Sequence, residues 1–194
     1  GVQTCALPIY TDNPYRKPEA PGIQFLHCLK NEVSGGFSTL VDGFSVAEYI
    51  KLNEPEAFES LTKTNLRYRF QDKDIILENW GELIELDKDG DYKQVRYSTR
   101  VDYVPPLENE KLESFYKARK LLGDLYTSSD FEIKFKLSPG DVMMFDNHRL
   151  LHGRTSYDSS EGARHLQGCY LEFDSTDGKL RHLHEKYHLS ETNL

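Results

Sequence analysis

Cysteine is scarce. The chain holds three, Cys5, Cys28 and Cys169, among 194 residues. They are too few and too unevenly spaced for a disulfide framework or a zinc knuckle, so a reducing, cytoplasmic setting is the expectation. Basic charge is also short: 24 Lys and Arg against 32 Asp and Glu leave a formal charge of -8. Nucleic acid and anionic membranes both call for a basic face, so neither is an expected partner. No apolar run approaches the roughly 20 residues of a membrane span. What the chain does have is 38% hydrophobic and 12% aromatic residues, enough for one globular domain with a sizeable core.

The densest pattern runs from Pro139 to Arg154. It reads as a tight turn, a buried apolar strand (Val142 to Phe145), a polar break at Asp146-Asn147, and a second short strand carrying His152. Upstream, Pro14 to Gly22 holds three of the eight prolines and reads as an extended loop. Ile23 to Leu29 reads as a buried strand, with His27 as a packed core histidine. Gly35-Gly36 marks a tight turn, and Ser38 to Asp42 the next strand. Ser45-Val46-Ala47-Glu48 has the form of a capping box, predicting a helix that starts there. Pro55 opens a second short helix from its tolerated first turn.

Leu66 to Phe70 and Ile75 to Leu77 are predicted short strands. Leu83 to Leu86 and Tyr92 to Tyr97 flank Asp89-Gly90, which predicts a hairpin with a two-residue turn. Leu112, Phe115, Tyr116, Leu122, Leu125 and Tyr126 recur at helical spacing, predicting one amphipathic helix laid on a sheet. Phe131, Ile133, Phe135 and Leu137 alternate with polar residues, the mark of a half-buried strand. The polar stretch after Asp174, with His182, His184 and His188, reads as a solvated tail. Several strands with turn signals between them and two helical insertions predict a mainly β fold with helical insertions, a distorted double-stranded β-helix (jelly roll).

Non-haem Fe(II) oxygenases bind their metal with two histidines and one carboxylate on one face, leaving positions open for cosubstrate and oxygen. The usual order is His-x-Asp early, a lone His late and an Arg shortly after it. Asp12, His152 and Arg164 fit that order, whereas position 10, where the first histidine belongs, is Tyr10. The chain resembles the gamma-butyrobetaine dioxygenase family, within the taurine-dioxygenase-like Fe(II)/2-oxoglutarate oxygenases. The matching runs are Thr11-Asp12-Asn13-Pro14-Tyr15, Pro21 to Cys28, Gly35-Gly36, Val41-Asp42-Gly43-Phe44, Gly140-Asp141, Phe145-Asp146-Asn147, Arg149 to Arg154 and Arg164 to Gly168. His148 stands where the family often has Trp, a mild departure at a packing position.

The resemblance implies a domain over residues 10–183, followed by a polar tail over 184–194. Gly1 to Ile9 lacks the basic start of a signal peptide and is expected to be a non-native leader, with native sequence from about Thr11 and Tyr10 standing in for a histidine. The incomplete barrel would expose a sheet edge and lower solubility.

The resemblance further implies Asp12 and His152 as Fe(II) ligands and 2-oxoglutarate and O2 as cosubstrates, with ascorbate as an auxiliary reductant. It implies Arg164 for the far carboxylate of 2-oxoglutarate, with Arg154 as the runner-up, and Ser38 or Thr39 for a second contact, Ser38 having the better spacing. Tyr170 and, more weakly, Tyr15 match residues that hold a trimethylammonium group by cation–π attraction. The implied reaction is hydroxylation of a small molecule, gamma-butyrobetaine to carnitine in a homodimer. The alternatives are the same chemistry on trimethyllysine, taurine or another small betaine, and an inactive pseudo-oxygenase because of Tyr10. A metal-free, sugar-binding jelly roll makes no use of Asp12, His152 and Arg164 together.

Overall fold

The structure is a computed structural model and describes residues 3–188. In chain order the elements are β1 (Gln3–Thr4), β2 (Leu7–Tyr10), β3 (Ile23–Asn31), β4 (Ser38–Asp42), α1 (Gly43–Asn53), α2 (Pro55–Lys63), β5 (Leu66–Gln71), β6 (Ile76–Gly81) and β7 (Ile84–Leu86). They continue with β8 (Tyr92–Val95), β9 (Asp102–Tyr103), α3 (Asn109–Tyr126), β10 (Glu132–Phe135), β11 (Val142–Asp146), β12 (Leu150–Arg154), β13 (Tyr157–Asp158), β14 (Arg164–Leu171) and α4 (Phe173–Tyr187). Two antiparallel sheets carry the architecture: a four-stranded one in the order β10-β4-β12-β2 and a three-stranded one in the order β11-β3-β14. The fold is mainly β with helical insertions, an open and distorted jelly roll.

The pleat sends alternate residues of each strand to opposite faces, and the cores follow that alternation. Leu40, Leu150, Cys28, Leu166, Met143 and Phe145 pack between the two sheets. Val41 and Leu151, one residue along, point the other way and join the larger core beneath α1, α2 and α3. The four-stranded sheet is therefore covered on both faces. The outer face of the three-stranded sheet is bare, with Val142 and Met144 56% and 64% exposed.

Several local expectations change. Helix α1 begins at Gly43, and its cap is Asp42, whose Oδ1 accepts from the Phe44 and Ser45 amides at 3.0 and 3.3 Å. Ser45 lies inside the first turn, and Glu48 accepts from the Tyr92 hydroxyl at 2.6 Å instead of completing a capping box. The β7–β8 hairpin exists, but its loop spans Asp87 to Asp91. The Asp87 carboxylate accepts from the Asp89 and Asp91 amides at 2.9 Å each, and Gly90 alone takes positive φ, +89°. An Asx-type closure has displaced the two-residue turn.

Helix α3 buries Phe115, Ala118, Leu122 and Tyr126, leaves Tyr116 exposed, and packs mainly on α2 and α1, sharing one core with Val41 and Leu151 of the four-stranded sheet. Ile133 is 59% exposed because β10 is a sheet edge, so the expected alternation of burial fails there. His27 is half-buried on β3, not in the core. The stretch after Asp174 is helical, as α4, with none of its residues buried. Phe173 anchors it against the His148 ring, centroids 5.0 Å apart. Of the tail expected over 184–194, residues 189–194 lie outside the described residues. Residues 7–10, mostly within the expected leader, form β2 beside β12.

Candidate metal and anion site

His152 is placed by a central strand. It pairs with Leu40 on one side and Tyr10 on the other, and its side chain turns into the space between the sheets against the Phe145 ring, 4.9 Å away. The next residue must be small: a Cβ on Gly153 would meet Thr39 Oγ1 at 2.8 Å and the Leu7 carbonyl at 2.9 Å. Close approach of β2 and β4 to β12 thus depends on this glycine.

Asp12 sits in a loop and is held by a residue 135 positions away. Its amide donates to Asn147 Oδ1 at 2.8 Å, while Asn147 Nδ2 donates to the Asp12 and Pro21 carbonyls at 3.0 and 2.9 Å. Asn147 is fully buried. Thr11 adds a second tie, its amide donating to the Tyr97 carbonyl and its hydroxyl accepting from the Tyr97 amide, at 3.0 and 3.1 Å. The role of Asn147 as a clasp on Asp12 was not legible in the sequence, where it reads as part of a strand connection. The Asp146-Asn147 pair in an apolar context was the one available signal.

The Asp12 and His152 side chains converge. Asp12 Oδ2 lies 3.5 Å from His152 Nε2 and accepts from the Tyr170 hydroxyl at 2.8 Å. Burial lowers the His152 pKa, with the Asp12 charge acting in the opposite sense, and Nδ1 of the ring has no partner among the described residues. A neutral imidazole aimed at a carboxylate is the ligand form a metal takes. Two donors each at roughly 2.0–2.2 Å from one ion fit this separation.

The third position does not fit. The Tyr10 ring lies 4.5 Å from that of His152, and its phenol pKa is pushed up to about 12, first by burial and then by Asp12. A phenol oxygen is a poorer ligand for Fe(II) than the imidazole expected at this position. Among the described residues no group of three or more His, Cys, Asp or Glu is arranged to hold a metal. The site therefore offers two protein ligands of an expected three.

Arg164 lies on β14, in the sheet opposite that of His152, because β14 pairs with β3. It still meets the β12 side through Tyr157. The guanidiniums of Arg154 and Arg164 both lie over that ring, at 4.8 and 5.5 Å from its centroid. Arg164 Nη2 donates to the Gly36 carbonyl at 3.3 Å, and Arg154 Nη2 to the Cys5 carbonyl at 2.9 Å. Gly36 has φ +68°, and a Cβ there would touch Arg164 Nε at 2.9 Å.

Among the described residues neither arginine has a carboxylate partner, and both Nε atoms are buried without an acceptor. Burial, followed by repulsion from Arg154, lowers the pKa of Arg164. Two guanidiniums on one ring, neither with a carboxylate partner among the described residues, have the chemistry to hold an anion. Ser38 is buried opposite Arg154 and shares the inter-sheet face of Leu40, whereas Thr39 lies against Gly153.

Tyr170 is 43% exposed, with its hydroxyl committed to Asp12. Tyr15 stacks on Phe70 at 5.0 Å, and its hydroxyl donates to Asn13 Oδ1 at 2.6 Å. Both Tyr10 and Asp12 border a cavity of about 330 Å³ that Tyr15 and Phe70 also line. His148 is buried and donates from Nε2 to the Ala20 carbonyl at 2.7 Å, a packing role.

The profile of the Taurine catabolism dioxygenase TauD, TfdA family matches residues 6–170. The chain belongs to this family. Gamma-butyrobetaine dioxygenase of Homo sapiens is 37% identical over 188 residues, covering 94% of this chain and 48% of that protein. Mitochondrial trimethyllysine dioxygenase of Bos taurus is 34% identical over 182 residues, covering 87% of this chain and 41% of that protein. This TauD-family chain thus spans about half the length of the curated relatives it matches. Asparagine oxygenase, solved with Fe(II), 2S,3S-3-hydroxyasparagine and succinate, superimposes with a TM-score of 0.68 at 18% identity. That likeness covers 87% of this chain and 50% of the other, and it carries the fold.

Proposed function

We propose that this chain is the catalytic part of an Fe(II)- and 2-oxoglutarate-dependent dioxygenase that hydroxylates a small trimethylammonium substrate, gamma-butyrobetaine to carnitine being the favoured case. The observation that carries the reading is the Asp12–His152 pair at 3.5 Å, supported by Arg164 and Arg154 over Tyr157 with no carboxylate partner among the described residues. Asp12 and His152 would hold the iron, and Arg164 the far carboxylate of the ketoacid, by a bidentate charge-assisted contact. Bound iron, ketoacid and O2 would together supply the oxidising power, with succinate and carbon dioxide released. The Asn147 clasp keeps Asp12 oriented, and Phe145 packed on His152 keeps water from the imidazole.

Tyr10 favours a second reading, a pseudo-oxygenase, because the chain as it stands lacks an imidazole at that position. We expect weak or no turnover from it. A reducing, cytoplasmic setting is supported by three free cysteines, and a homodimer is carried over from the family alone.

The test compares this chain with Tyr10→His, both loaded anaerobically with Fe(II) and 2-oxoglutarate. The expected result is the weak visible charge-transfer band of a chelated ketoacid–iron complex in the variant and none in the original. A folded variant without the band sinks the oxygenase reading. An equal band in both removes the case against Tyr10.

A further inference from the structure

The cavity beside Asp12 has a charged residue, Arg100, on its wall. At one end it is lined by Tyr10 and Asp12, at the other by Phe70, Thr99 and Arg100. Arg100 follows β8 in a loop turned by its own amide, which donates to the buried Ser98 Oγ at 3.2 Å. The guanidinium is exposed and has no ion-pair partner among the described residues. Its neighbours differ: Arg96 is paired with Glu85 and Arg119 with Asp102, each at 2.5 Å. In a chain with 32 acidic and 24 basic residues, an arginine left unpaired on a cavity wall is available to a ligand. Arg100 lines the same cavity as Tyr10 and Asp12, so it borders the space beside the candidate metal site.

The other cations near the site are already placed. Arg154 and Arg164 sit on Tyr157, which does not line this cavity. The molecule therefore offers two separate anion positions. One lies over Tyr157, and the other lies on a cavity whose walls include the stacked Tyr15 and Phe70 rings.

We propose that Arg100 binds the carboxylate of a zwitterionic substrate whose quaternary ammonium end rests on the aromatic wall of the same cavity. This rests on the proposed function and adds the residue that selects a carboxylate-bearing betaine over a simple quaternary amine. The fork of the guanidinium suits a carboxylate in two parallel contacts, and aromatic faces suit a cation with no hydrogen to donate. Arg100 is thus a specificity-determining residue. Because it is exposed, replacing it should leave folding intact.

The experiment is isothermal titration of the full chain, and of its Arg100→Ala and Arg100→Lys variants, with gamma-butyrobetaine and with butyltrimethylammonium, which lacks the carboxylate. The same series is run in the Tyr10→His background. The expected result is a loss of about tenfold in betaine affinity for Arg100→Ala, on the scale of one charge-assisted contact, with butyltrimethylammonium unchanged within about twofold. Arg100→Lys should recover part of the loss. Betaine affinity unaffected by Arg100→Ala, or an equal fall for both ligands, overturns the proposal and leaves the proposed function standing. If neither ligand binds the folded parent chain in either background, the substrate class itself is wrong and the proposal goes with it.

Discussion

The two main sheets face each other, yet only the four-stranded one is covered on both sides. Leu151 on its central strand is fully buried, while Met144 on the three-stranded sheet is 64% exposed. The site divides along the same line. His152 comes from the doubly buried sheet, and Arg164 and Tyr170 come from β14 on the half-open one. As a metal ligand His152 would need fixed geometry, which two-sided packing supplies, whereas groups that grip a small molecule would tolerate a more open strand.

The largest test of that contrast is a pair of truncations. Leu151→Ala should cost about 2–5 kcal/mol through lost burial and a cavity, whereas Met144→Ala should cost less than about 0.5 kcal/mol. Urea unfolding of both variants checks this, and equal losses would erase the distinction between the sheets. Next comes Asn147→Ala, which strips three hydrogen bonds from buried backbone around Asp12. It should lower stability by about 2–3 kcal/mol and weaken Fe(II) binding about tenfold or more, read by unfolding and by metal titration.

On the half-open sheet, Arg164→Lys should hardly change the unfolding midpoint. It should weaken 2-oxoglutarate binding about tenfold, because an ammonium cannot reproduce the bidentate fork. A large stability loss with unchanged ligand affinity would make Arg164 structural.

The smallest effect is expected at the end of β4. Asp42 caps α1 and is held by Arg149, with Nη2 donating to Oδ2 at 2.6 Å. Burial pushes its pKa up, but hydrogen bonds from Arg149 and Ser45 outweigh that and hold it below the ordinary carboxylate range. A folded pKa below the unfolded one means the stabilisation is present above about pH 3.9 and is lost as pH falls through the lower folded value. Asp42→Asn keeps the cap but loses the charge that holds Arg149, so it should cost about 0.5 kcal/mol at neutral pH and less in acid, seen as unfolding curves that converge as pH drops.

How legible the molecule was in its sequence depended on how local each feature is. Ser38–Asp42, the helix opened by Pro55 and the apolar stripe of α3 were readable because alternation and helical spacing are imposed residue by residue. The Asp42 cap and the Asp87 loop closure were misplaced because several nearby side chains competed to bond the same amides, and tertiary partners such as Arg149 and Tyr92 chose among them. Ile133 misled because edge position is a property of the sheet, not of the strand.

The sequence by itself determined the residue types and order that mark Asp12, His152 and Arg164, the strand periodicity around them, and the absence of histidine at Tyr10. Only the tertiary structure decided that Asn147 clasps Asp12, that Arg154 and Arg164 share the ring of Tyr157, and that Arg100 lines the cavity with no ion-pair partner among the described residues. The physical reason is that a strand pattern records which way each side chain points, whereas a meeting between residues more than 100 positions apart depends on how two sheets stack and which loops close over them.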